Sequence, residues 1–119
     1  MNHLLLGAAI PFTAAAIVYA LRGFRAGWRL LVITPVLMTA FGLWAAAPDI
    51  PRLLRLHNLY LRLYADPRCN VFLWHYAIDQ VETDSSWPAV GLALLAAGLL
   101  AAALRELALA ERARRSAFG

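Results

Sequence analysis

Lysine is missing from this chain altogether, so every one of its 11 basic residues is arginine. Cysteine occurs once, at Cys69, which excludes an internal disulfide and any metal site built mainly from thiolates. Charge of either sign is scarce: 15% of the 119 residues are charged, while 62% are hydrophobic. A soluble domain of this length has no means of covering so much apolar surface. Also missing are a Gly-rich phosphate loop, an internal repeat and a nucleophile set beside a His–acid pair. The formal charge of +4 would point to nucleic acid on a soluble protein. Here the arginines flank hydrophobic runs, so their expected partners are anionic lipid headgroups, and no nucleic acid is expected.

The most informative absence is that of charge from three long stretches. Residues 3–21, 30–48 and 87–104 contain no Asp, Glu, Arg or Lys. Each is close to the roughly 20 residues that a helix needs to cross the hydrocarbon core. Backbone groups in lipid must pair within their own segment, so the spans are predicted to be α-helices. The length allows a single membrane domain over 1–119. The first run lacks the positive leader of a secretory signal, because Arg22, Arg25 and Arg29 follow it, and it reads as a retained helix. Those three arginines and the four of the tail 105–119 outweigh the four in segment 49–84. The positive-inside rule therefore favours an outer N-terminus and a cytoplasmic C-terminus, in a bacterial inner membrane.

Within the spans, Pro11 and Pro35 each remove a backbone donor, and the threonines at 13, 34 and 39 are expected to satisfy nearby backbone. In the third span Ala89, Ala93, Ala97 and Ala101 repeat every fourth residue, with Gly91 and Gly98 on an adjacent stripe. Such small residues let another helix approach closely. Ser85 or Ser86 and Pro88 provide its start. Trp28, Trp44 and Trp87 fall near span ends, as interfacial aromatics do.

Segment 50–83 is too polar to cross and too apolar for a free loop. Its first half places Arg55, Asn58 and Arg62 on one side of a helical projection and leucines and tyrosines, with His57, on the other. That is an amphipathic helix lying among headgroups, with Arg55 and Arg62 reaching lipid phosphates or a partner. A second helix is predicted to start at Asp66-Pro67 and run to about Glu82. The predicted fold class is thus an all-α membrane protein, with three transmembrane helices and one or two short interfacial helices between the second and third.

One constellation invites a chemical reading. His75, Asp79 and Glu82 stand four and three apart, which stacks them on one helical face, and a nitrogen–oxygen donor set suits iron, manganese or zinc. The plainer expectation is a solvated stripe, since three residues of one helix make a thin ligand set. His57, on an apolar face, is the candidate ligand for a haem or pigment at the membrane edge. The spans offer no axial histidine beyond His3 at an extreme end, so a bis-His haem inside the bundle is not expected, nor is any resident cofactor. With no Asp, Glu, Arg or Lys in the spans, a stand-alone pump or carrier is not expected either. The sequence therefore favours a non-catalytic accessory subunit that organises a larger energy-transducing complex, respiratory or photosynthetic. Trp74, Tyr76, Gly91 and Gly98 would then contact other membrane-protein subunits or lipids. Its rivals are a membrane-surface metalloprotein or enzyme using His75, Asp79 and Glu82, and a self-associating homo-oligomer.

Overall fold

A computed structural model describes residues 2–81 and 86–118. The described residues are helical with no strand. Helices α1 (Asn2–Leu21), α2 (Trp28–Ala46) and α6 (Trp87–Phe118) are long, and α3 (Ile50–Leu53), α4 (His57–Tyr64) and α5 (His75–Asp79) are short. Two 3-10 turns, Ala47–Asp49 and Pro67–Val71, join the short pieces. The three long helices are long and apolar enough to cross a membrane. Their outward faces carry residues that water tolerates poorly, among them Ile17, Val32, Val36, Leu94 and Leu100. The particle is an elongated rod of 67 × 24 × 21 Å.

Close backbone approach holds α1 to α2. A Cβ built at Gly7 would overlap the Phe41 carbonyl oxygen and lie 2.7 Å from the Gly42 Cα, so only glycine permits this crossing. Gly42 in turn faces the Leu4 carbonyl. Helix α6 packs against α1 through its own two glycines, Gly91 over Leu5 and Gly98 over Phe12. The small-residue stripe expected to receive a foreign helix is thus used, at these two positions, by the chain's own first helix. Thr34 Oγ1 donates to Leu30 O at 2.6 Å and Thr39 Oγ1 to Pro35 O at 2.9 Å, each bonding back to the carbonyl four residues earlier in its own helix.

At the loop end of α1, Glu106 of α6 is mostly buried, accepts the Ala26 amide at 2.8 Å and stands 3.8 Å from Arg25. Arg105 also donates to Tyr19 at 3.2 Å, so the continuation of α6 past its apolar run is tied to the 22–27 connector.

Segment 50–81 differs from the expectation in a way that matters for the site. The predicted amphipathic helix is broken between α3 and α4, where Arg55 adopts a left-handed φ of 61°. The predicted second helix does begin with an Asp66 cap, its carboxylate accepting Arg68 N–H at 2.9 Å. It persists only as the 3-10 turn to Val71. Leu73 and Trp74 then take left-handed φ values of 54° and 60°, and the chain turns before α5 begins at His75. Asn70 braces that turn, its side-chain oxygen accepting the Ala77 amide at 3.1 Å, while Trp44 Nε1 donates to Val71 O at 3.3 Å. Glu82 and Ser85 lie outside the described residues.

Candidate metal centre

The turn at Leu73-Trp74 drives His75 inward, to 1% exposure. The stripe expected to face water is therefore sealed at its histidine. His75 lands on the N-terminal end of α1, where the His3 ring stacks on it at 3.9 Å between centroids and 29° between planes. His3 is itself 1% exposed. Asp49, at the end of the turn that follows α2, and Asp79, one helical turn beyond His75, complete the cluster.

The hydrogen-bond partners assign the tautomers. His75 Nδ1 lies 3.1 Å from the Ala45 carbonyl, one of the acceptors left over at the end of α2, so this nitrogen carries the hydrogen. A neutral His75 then points its Nε2 lone pair at Asp49 Oδ1, 3.6 Å away, and Asp79 Oδ2, 3.4 Å away. His3 Nε2 faces two acceptors, the His75 carbonyl at 3.3 Å and Asp79 Oδ1 at 3.2 Å, so it is the donor there. That leaves His3 Nδ1 as a lone pair, buried, without a hydrogen-bond partner, and 3.6 Å from Asp49 Oδ2.

Two lone pairs aimed at carboxylate oxygens in a buried site repel unless a cation lies between them. A proton on one of the nitrogens would relieve that repulsion, and so would a metal ion. Donors bound at about 2.1 Å in a tetrahedral site stand roughly 3.4 Å apart, close to the 3.6 Å from each imidazole nitrogen to Asp49. One donor atom from each of His3, Asp49 and His75 falls within a mutual 4.8 Å. The far nitrogen of each imidazole is held as metal-bound histidines usually are, one by a carboxylate and the other by a backbone carbonyl.

The centre opens on one side. The histidine side chains are at most 2% exposed and that of Asp79 is 8% exposed, whereas that of Asp49 is 32% exposed. Beside this opening, α4 packs on the turn bearing Asp49 and brings in Tyr60. Burial pushes the Tyr60 phenol above its ordinary value; Arg52 pulls it down, and Asp49 and Asp79 push it up. The phenol accordingly stays protonated at neutral pH.

Of the residues singled out in the sequence, His75 and Asp79 do come together, with Glu82 outside the described region. Their true companions are His3 and Asp49, neither of which the sequence reading chose. His57 is exposed at the start of α4 and is not a member of the cluster, and Arg55 and Arg62 are exposed as well. Trp74 is 60% exposed and Tyr76 half-buried. Comparison with protein-family models, curated proteins and solved structures finds no match to this chain.

Proposed function

We propose that this chain is a membrane-surface metalloprotein whose centre, His3, Asp49 and His75, binds a first-row divalent ion of the zinc class and activates water at it. The observation that carries this reading is that two buried imidazoles each set a ring nitrogen 3.6 Å from an oxygen of Asp49, His3 Nδ1 having no hydrogen-bond partner. Two imidazoles and one carboxylate with an open side form the ligand pattern of catalytic rather than structural zinc. A water in the open position would lose a proton near neutral pH, and Asp79 Oδ2 stands close enough to take part in moving it. The chain sits in the bacterial inner membrane with its N-terminus and the centre outside.

The accessory-subunit reading rested on the chain having no chemistry of its own. The buried cluster favours the metalloprotein reading over it. Partner subunits still fit the exposed apolar faces, as a role added to the centre and not in place of it.

Elemental analysis of the purified, metal-loaded protein tests the proposal. One ion per chain is expected, lost in both His3→Ala and His75→Ala while the helical signal persists. A wild-type protein that takes up no zinc, manganese or iron at neutral pH would sink it. Native mass measurement of the same sample reports whether other chains or further copies accompany it.

A further inference from the structure

Asp49 and Arg52 are three residues apart across the short junction that leads into α3, so the arginine leaves the backbone one turn from a proposed ligand. Its guanidinium lies 5.8 Å from the centre of the Tyr60 ring, and its charge works against the rise that burial gives the Tyr60 phenol. Arg52 is exposed and Tyr60 half-buried, and the tyrosine is within electrostatic reach of both Asp49 and Asp79. An arginine held over an aromatic ring has its fork fixed and still presents free N–H groups. The phenol adds a neutral donor alongside. Placed at the exposed edge of a dication site, this pair completes a set made of a cation, a guanidinium and a hydroxyl donor. Such a set recognises a tetrahedral oxyanion, because the guanidinium matches two phosphate oxygens while the metal takes a third.

We propose that Arg52 and Tyr60 form an anion subsite beside the metal centre, and that it takes the phosphoryl group of a membrane lipid. This deepens the metal-centre reading and rests on it. The lipid source follows from position: the centre lies at the ends of α1 and α2, helices apolar enough to cross a membrane, and so at the level of the lipid phosphates. Arg55 and Arg62 are exposed, whereas Arg52 stands over the Tyr60 ring. They can meet headgroups only as exposed charges.

The experiment is calorimetric titration of the detergent-solubilised full chain, with metal content measured on every sample. Three probes are compared: inorganic phosphate, short-chain phosphatidic acid and short-chain diacylglycerol, which lacks the phosphate. Wild type should bind phosphatidic acid more tightly than inorganic phosphate, and diacylglycerol least. Arg52→Ala should weaken phosphatidic acid binding by about tenfold or more, with Arg52→Lys intermediate and Tyr60→Phe a smaller loss, all at wild-type metal content. Equal affinity for diacylglycerol and phosphatidic acid would overturn the subsite. So would phosphatidic acid binding indifferent to Arg52→Ala. Tighter binding of inorganic phosphate than of phosphatidic acid would keep the subsite and refute the lipid source. The two proposals fail separately: phosphate binding that depends on Arg52 in a protein holding no metal removes the centre, and full metal content with no Arg52 dependence removes the subsite.

Discussion

His3 is the residue on which the centre turns, because its two nitrogens have different duties. Nδ1 faces Asp49 without a hydrogen-bond partner, and Nε2 is held by Asp79. Asp79 therefore has an effect distinct from that of a ligand. In Asp79→Asn the amide can still accept from His3, yet it brings no negative charge to raise the basicity of that imidazole. Metal affinity, read by competition with a chelator, should fall by about 10- to 100-fold in this variant. His3→Ala, which removes a ligand, should leave no measurable site in the same assay. Equal loss in the two would make Asp79 a ligand of the same rank, and no loss in Asp79→Asn would remove it from the centre. Asp49 belongs with His3, since it faces both lone pairs and is the one member open to solvent.

Helix contacts set the register that lets His3 meet Asp49. The crossing of α1 and α2 at Gly7 and Gly42 fixes how far each helix end projects, with His3 one turn beyond Gly7 and Asp49 about two turns beyond Gly42. Gly7→Val would drive side-chain atoms into the backbone at Phe41 and Gly42, which cannot step aside, so the helices must part. Thermal stability in detergent and metal content should fall together, with a cost above the usual overpacking range of about 1–3 kcal/mol. Gly98→Ala meets the tip of the Phe12 ring at 3.0 Å, which a small ring movement relieves. Its melting temperature should stay near wild type and its metal content unchanged. These elements also show what sequence could and could not disclose. The long helices are legible because uninterrupted apolar runs in lipid leave the backbone no alternative. The inward turn at Leu73-Trp74 is not, because neither glycine nor proline marks it, and a helical projection carried straight through sends His75 to the wet side. The pairing of His3 with residues 72 positions away is a tertiary event with no local signature. Asp49 stands just past the second charge-free run and carries no local signal of its own.

On the scale of the whole molecule, the two ends of the rod differ in chemistry. One end gathers His3, Asp49, His75 and Asp79, and the other carries Arg25, Arg105 and the arginine-rich end of α6. On the proposed reading, the positive-inside rule applied to that asymmetry would put the centre outside. Labelling of the native Cys69 would not report orientation. It is 3% exposed, its thiol donates to Leu63 O at 3.0 Å, and burial pushes its pKa up, with Asp66 and Asp79 adding to the rise. A thiol so raised holds less thiolate at neutral pH and reacts slowly, which makes Cys69 a quiet background for introduced cysteines. Asn58→Cys on α4 and Ser116→Cys near the end of α6 are both exposed positions. A membrane-impermeant maleimide applied to intact cells is expected to modify Asn58→Cys and spare Ser116→Cys until the membrane is opened. The reverse pattern would turn the protein over. The outcome bears on the chemistry as much as on topology. An outer centre draws its metal from outside the cytoplasm and meets phosphates of the outer leaflet, whereas an inverted one would meet the inner leaflet and compete with cytoplasmic metal ligands for its ion.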